Sequence, residues 1–251
     1  MAATGAALVT GASYGVGAAT ALALARAGYD VAVTATKVEN LAPTVKALQA
    51  CGRRVLPIAL DLRSEADIAR VAKEVIATFG GVDVLVNNAG ANLRKDAVDV
   101  TAAEWDALMN VNIRGTFFLT QAIGRALIAG GRGGCIVNIA STYALLGAPE
   151  RSTYGISKAA LLGMTRMLAV EWAEHGIRVN AVAPGRLATP SPSRAEKGAD
   201  QTYMDAMLER IPLHRLATVE EVAAAVVYLA SPAAASITGQ VLVLDGGLTA
   251  A

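Results

Sequence analysis

The chain of 251 residues holds only two cysteines, Cys51 and Cys135, and two histidines, His175 and His214. Two thiols exclude a disulfide framework and a cysteine-rich zinc site, and so few imidazoles weigh against a histidine-bound catalytic metal. No metal is expected. Aromatic residues are scarce at 4%, and neither sign of charge dominates, with 22 Lys+Arg against 21 Asp+Glu. A formal charge of +1 leaves no basic footprint for nucleic acid. Repeats, low-complexity linkers and charge blocks are also lacking, so residues 1–251 read as one domain.

What the chain has in excess is aliphatic residues: 54% of it is hydrophobic and the mean hydropathy is +0.43. Two uncharged stretches raise the question of a membrane. Met1 to Ala25 carries no charge, but a signal peptide needs a basic segment before its apolar run, and four glycines interrupt this one. Val222 to Leu244 is long enough to span, yet Ser231-Pro232, Ser236, Thr238 and Gly239-Gln240 break it. It reads as a helix (Thr218–Ala230), a turn and a short buried strand. Neither stretch is taken as a span, and a cytoplasmic location is expected.

Short apolar runs alternate with longer helical patterns, the signature of βαβ units and a parallel sheet. The expected strands are Ala6–Thr10, Asp30–Ala35, Arg54–Leu60, Val82–Val86, Gly134–Ile139, Arg178–Ala183 and Gln240–Leu244. Expected helices include Ser64–Phe79, Thr101–Ile128 behind a Thr-Ala-Ala-Glu capping box, and Ser152–His175 ending at Gly176. The least regular stretch, with Pro190, Pro192, Gly198 and Pro212, suggests a substrate lid over about 186–216.

The first strand runs into Gly11-Ala12-Ser13-Tyr14-Gly15-Val16-Gly17 and then an alanine-rich helix. A sharp strand-to-helix turn aims backbone N–H groups and the helix dipole at a phosphate. The spacing is G-x-x-x-G-x-G rather than G-x-G-x-x-G, and a tight packing turn alone would explain the glycines about as well. Further along stand Asp61-Leu62, Asn87-Asn88-Ala89-Gly90, Asn112, Ser141, Tyr154-Gly155-Ile156-Ser157-Lys158, Pro184-Gly185, and Thr238-Gly239 to Gly247. In this order, and over nearly its whole length, the chain resembles the short-chain dehydrogenase/reductase family. The resemblance implies a doubly wound α/β Rossmann fold, a seven-stranded parallel sheet with helices on both faces, binding NAD or NADP.

Tyr154 and Lys158 lie one helical turn apart, hence on one face. A tyrosine with a pKa near 10 is a poor base at neutral pH, and a fixed ammonium nearby would favour its phenolate. By resemblance, Tyr154 exchanges a proton with the substrate oxygen and Lys158 also bonds the nicotinamide ribose. Ser141 matches the serine that polarises the carbonyl, and Asn112 the asparagine that holds a water in a proton relay. A hydrolase nucleophile at Ser141 is set aside, since no G-x-S-x-G elbow surrounds it.

The same resemblance assigns Gly11, Ser13, Tyr14, Gly15, Val16 and Gly17 to the cofactor's phosphates and Asp61 with Leu62 to its adenine. Asn88, Ala89 and Gly90 would line the adenosine ribose, and Pro184, Gly185, Leu187 and Thr189 would lie beside the nicotinamide. An NAD enzyme normally ends its second strand with an acid on the ribose 2′-hydroxyl. Here Thr36 and Lys37 stand instead, able to bond and neutralise a 2′-phosphate, which tilts the choice to NADP. Tyr14 speaks against it, because many NADP-using members carry Arg or Lys there.

On the substrate side Arg94 suits a carboxylate, although a solvated surface loop explains it equally well. Leu146, with Ala144, Leu145 and Ala148, would suit an acyl chain. The expected function is therefore an oxidoreductase interconverting a secondary alcohol and a ketone, on a sugar or sugar acid or a 3-oxoacyl compound. A catalytically silent dinucleotide-binding scaffold is the alternative, but it predicts damage at Asn112, Ser141, Tyr154 or Lys158, and none is present. The resemblance also implies a homotetramer built on Thr101–Ile128, Ser152–His175 and Gln240–Gly247.

Overall fold

Strands with Val, Ile and Leu at successive positions are apolar on both faces and must be covered on both. The computed structural model describes residues 5–188 and 201–251, the side chains of 201–204 excepted, and meets that demand with one sheet between two helical layers. Its strands are β1 (Gly5–Val9), β2 (Tyr29–Ala35), β3 (Val55–Ala59), β4 (Val84–Asn87), β5 (Gly134–Ile139), β6 (Ile177–Pro184) and β7 (Val241–Leu244). All run parallel in the order β3-β2-β1-β4-β5-β6-β7. Each expected strand is found, its ends moved by no more than a residue or two.

The period-two alternation divides the core. Ala7, Val9, Val84, Val86 and Val137 face a layer containing α1 (Gly15–Arg26), α2 (Ala42–Gln49) and a late helix, Val219–Ala230. Leu8, Leu85 and Ile136 face α3 (Glu65–Phe79), α5 (Thr116–Gly130) and α6 (Ser152–Glu171), where Ile123, Leu168 and Trp172 complete the packing. Between them in sequence come α4 (Ala102–Met109), which precedes α5, and α7 (Gln201–Glu209), which precedes the late helix, here α8. The uncharged stretch Val222–Leu244 resolves into the body of α8, a 3-10 turn (Pro232–Ala234) and β7. Among the described residues no helix is long and apolar enough to cross a membrane.

One expected element is divided. The pattern over Thr101–Ile128 predicts a continuous helix, but α4 and α5 are separated by a π turn, Asn110–Gly115. Thr116 Oγ1 donates to the carbonyl of Val111, five residues back, at 3.1 Å, and Gly115 packs directly on the Leu62 backbone. The widened turn is a tertiary accommodation, which local periodicity does not report. Likewise, Ser152–His175 is α-helical only to Glu171 and ends as a 3-10 turn before Gly176, whose φ is +69°.

Chain connections leave β1 toward β2 and β4 toward β5, in opposite directions, and open a crevice at the carboxyl ends of the strands. A buried polar ladder stiffens the floor of that crevice. Asn87 Nδ2 donates to Thr120 Oγ1 and to Asn138 Oδ1, both at 2.8 Å, and Asn138 Nδ2 donates to Thr165 Oγ1 at 2.9 Å. The ladder ties β4 and β5 to α5 and α6. Asn138→Ala takes one acceptor from Asn87 Nδ2 and one donor from Thr165 Oγ1, and is expected to cost about 2–4 kcal/mol. Thr165→Val, which orphans one amide proton, is expected to cost about half as much. Urea unfolding at fixed protein concentration tests the ranking, and a neutral Asn138→Ala would show that the ladder is not structural.

Candidate active site

The glycine turn after β1 is clamped from β4. Thr10 Oγ1 accepts the backbone N–H groups of Asn88 and Ala89, each at 3.0 Å. Asn88 Nδ2 returns hydrogen bonds to the carbonyls of Thr10 and Gly11, each at 2.9 Å. A Cβ on Gly17 would run into the Gly11 carbonyl oxygen, so only glycine lets α1 start this close to its strand. Gly15, at φ +61°, has open space where a side chain would be.

Helix α1 then begins uncapped. Tyr14 is exposed and makes no cap hydrogen bond, and no acid lies in the first turn. By contrast α4 and α8 both begin with complete capping boxes, Thr101 with Glu104 and Thr218 with Glu221. Open backbone N–H groups and the positive end of a helix dipole make the turn a cradle for an anion. Ser13, Tyr14, Gly15 and Val16 stand at its mouth, and the cradle fits the diphosphate of a dinucleotide.

The other expected cofactor residues surround the same edge of the sheet. Thr36 and Lys37 are exposed just beyond β2, and Lys37 has no acidic partner among the described residues. Leu62 is buried, while Asp61 is exposed enough to pair with Arg63 at 2.7 Å; that hydrogen bond holds its carboxyl below the usual range. Gly90 faces the Asn112 amide and the Lys158 amine. Pro184 ends β6, the Gly185 N–H donates to the Leu244 carbonyl at 2.9 Å, and Leu187 bridges to Ala217. Thr189 and the rest of the lid as far as residue 200 lie outside the described residues.

Asn112, Ser141, Tyr154 and Lys158 converge beside this edge. Lys158 is buried, and its Nζ donates to the Ile139 carbonyl, at the end of β5, at 2.8 Å. That is its one acceptor among the described residues, which leaves donor capacity for ligand hydroxyls. Burial pushes its pKa down to about 8. Nζ lies 5.7 Å from the Tyr154 ring centroid, so the two do share a face of α6. Burial pushes the Tyr154 phenol above its ordinary pKa, and a Ser141 hydrogen bond and the Arg151 charge pull it back. Arg151 is thus a second cation near the phenol, one that the spacing of Tyr154 and Lys158 does not point to.

Ser141 opens a 3-10 turn, Thr142–Ala144, and its Oγ accepts the Tyr143 N–H at 3.2 Å. Asn112 sits inside the π turn with its side chain fully engaged. Its Oδ1 accepts the Ala91 N–H at 2.7 Å, and its Nδ2 donates to the Ala91 carbonyl at 3.0 Å and to Ser157 Oγ at 2.9 Å. Ser157 Oγ donates in turn to the Tyr154 carbonyl at 2.7 Å. Asn112 therefore staples the loop after β4 to the helix that carries the tyrosine.

At the mouth, Arg94 Nε meets Glu150 Oε2 at 2.6 Å, and Leu146 is half-buried with its N–H on the Thr142 carbonyl at 2.9 Å. Two neighbours of Tyr154 escape the sequence reading. The Tyr143 ring meets it edge-on at 6.3 Å, and Arg151 lies over the Tyr143 ring at 5.7 Å. The position of Arg151, three residues before Tyr154 and so on a common helix face, is the signal that would find it.

Comparison with known proteins agrees with this geometry. A family model described as enoyl-(acyl carrier protein) reductase matches residues 11–249. The chain is 39% identical over 241 residues to 2-dehydro-3-deoxy-D-gluconate 5-dehydrogenase of Dickeya dadantii, covering 96% of this chain and 94% of that protein. It is 40% identical over 241 residues to 3-oxoacyl-[acyl-carrier-protein] reductase of Thermotoga maritima, covering 96% of each. A solved structure from Agrobacterium tumefaciens, provisionally named a 2-deoxy-D-gluconate 3-dehydrogenase and holding NADP, superposes with a TM-score of 0.91 at 37% identity. That match covers 99% of this chain and 98% of the other. With the doubly wound sheet, the anion cradle and the Ser141–Tyr154–Lys158 cluster in one cleft, the chain belongs to the short-chain dehydrogenase/reductase family and is an NAD(P)-dependent oxidoreductase that interconverts a secondary alcohol and a ketone.

Proposed function

We propose that Tyr154 is the general acid/base of this reaction and that the substrate is a sugar acid. The observation that carries the catalytic part is the packing of Tyr154 against Ser141 with Lys158 buried behind it. Bound NAD(P) supplies or accepts the hydride at the substrate carbon. The phenol gives its proton to the carbonyl oxygen in reduction and takes the hydroxyl proton in oxidation. Ser141 donates its single proton to the same oxygen, and its lone pairs are left to accept from the protonated phenol. Lys158, anchored on Ile139, offers its remaining protons to ribose hydroxyls and steadies the phenolate as its negative charge develops. Asn112 holds the loop and helix in register through Ala91 and Ser157.

The sugar-acid reading is supported by the gluconate-type names among the relatives and by the cations at the mouth. A 3-oxoacyl substrate is the second reading, favoured by Leu145, which is half exposed on the opposite wall. NADP is the proposed cofactor, since Lys37 stands after β2 with no acidic partner among the described residues and no carboxylate ends the strand. One continuous sheet supports a single catalytic domain, and the unpaired thiols Cys51 and Cys135 suit the cytoplasm. A homotetramer is proposed through α4–α5, α6 and the β7 region, where Met167 and Val170 leave apolar surface exposed on α6.

Tyr154→Phe is expected to lower kcat about 10²- to 10⁴-fold while leaving cofactor affinity within a few-fold. Near-normal turnover of that variant would remove Tyr154 from the reaction. In fluorescence titrations NADPH is expected to bind more tightly than NADH, and Lys37→Glu to narrow or reverse the difference; equal affinities in the wild type would overturn the NADP assignment. Light scattering is expected to give four subunits, and Val170→Asp a smaller species; a wild-type monomer would refute the assembly.

A further inference from the structure

Among the described residues, three cations on the loops beside Tyr154 differ in how far their charge is already answered. Arg94 is paired with the Glu150 carboxylate at 2.6 Å. Lys95 Nζ lies 2.9 Å from both oxygens of Glu104. Arg151 has only neutral contacts among the described residues: Nη1 donates to Asn92 Oδ1 at 3.0 Å, and the guanidinium lies over the Tyr143 ring at 5.7 Å. Its remaining N–H groups have no described acceptor, which leaves the fork that a carboxylate fills with two parallel hydrogen bonds.

The placement is as telling as the charge. Arg151 is the residue at which α6 starts, and its carbonyl accepts the Gly155 N–H at 2.7 Å, so its backbone is fixed relative to Tyr154. Tyr143 stands between the two, facing Arg151 with its ring and meeting Tyr154 edge-on at 6.3 Å. Cation and acid/base are thereby held one aromatic ring apart, the scale of a short carbon chain. The positive end of the α6 dipole adds to the charge of the guanidinium at this point. The two ring contacts place the guanidinium within electrostatic range of the phenol, whose pKa the Arg151 charge accordingly lowers.

We propose that Arg151 determines specificity by receiving the carboxylate of the substrate, placing a hydroxyl- or carbonyl-bearing carbon further along the same molecule at Tyr154. This rests on the sugar-acid reading above. A carboxylate is a stronger acceptor for a guanidinium than the Asn92 amide, so the substrate displaces a weak internal contact rather than a formed ion pair. Arg94 would have to give up Glu150 to do the same work. Glu150 is held there in the left-handed region, at φ +59°, with its carbonyl accepting the Lys95 N–H at 3.0 Å. The Glu150 backbone is thus tied to the loop that carries Arg94.

The test compares kcat/KM for gluconate-type acids with that for the corresponding neutral polyols in wild type, Arg151→Gln, Arg151→Lys and Arg94→Gln. Removing Arg151 also relieves the phenol of a nearby charge, which affects acids and polyols alike, so the ratio isolates recognition. Arg151→Gln is expected to lower the acid-to-polyol ratio roughly 10- to 100-fold, chiefly through KM for the acid. Arg151→Lys, which keeps the charge and loses the fork, is expected to recover part of it. Equal loss on acids and polyols would reduce Arg151 to a structural role and overturn the proposal. So would a ratio that falls in Arg94→Gln but survives in Arg151→Gln. A wild-type enzyme that turns over neutral ketones or acyl thioesters and no sugar acid overturns the substrate reading, and this proposal with it. An enzyme active on acids whose ratio ignores Arg151 overturns this proposal alone.

Discussion

A lysine ammonium carried into the interior on a single described protein acceptor is the constraint around which this site is arranged. Burial at Lys158 opposes its charge and draws its pKa to about 8, and the Ile139 carbonyl at 2.8 Å is what offsets the loss of water. That hydrogen bond fixes the start of α6 against the carboxyl end of β5. Tyr154, one turn earlier, is then set beside Ser141, which the chain reaches two residues after β5 ends. Move the ammonium and the tyrosine, the serine and the loop at Gly90 all lose their common reference.

The surroundings are stiff enough to hold that reference. Asn87 and Asn138 satisfy one another and two helix threonines in a buried ladder, and in such a setting each polar group is costly to leave unpaired. Asn112 does the same between the Ala91 backbone and Ser157. The site therefore sits on strand ends and backbone contacts, the parts of the molecule least free to move.

Much of this arrangement can be read directly from residues. Short unbroken runs of Val, Ile and Leu reveal seven strands to within two residues, because burial on both faces imposes the pattern. The glycine turn is legible for the same kind of reason: a strand turning at once into a helix needs glycine where backbones touch. The π turn is not legible. The apolar period runs straight through Asn110–Gly115, and what widens the helix is contact with Leu62 and Ala91, both distant in sequence. Burial is the other blind spot. Tyr154 and Lys158 show their spacing in the sequence, but not that desolvation raises the phenol or that Arg151 also stands near enough to draw it down.

The division between frame and entrance explains how a single cleft can keep its chemistry while its substrate changes. Lys158, Tyr154 and Ser141 are positioned by main-chain acceptors and helix starts, which tolerate varied neighbours. Selectivity at the mouth is set instead by how the cations there are compensated. Arg94 and Lys95 are spent on Glu150 and Glu104, so substituting either acid would release a charge toward incoming substrate without touching the catalytic groups. Arg151 differs in that, among the described residues, its charge is answered only by an amide oxygen and an aromatic face. Recognition and proton transfer would then meet across one aromatic ring, since Tyr143 touches the guanidinium on one side and the acid/base on the other.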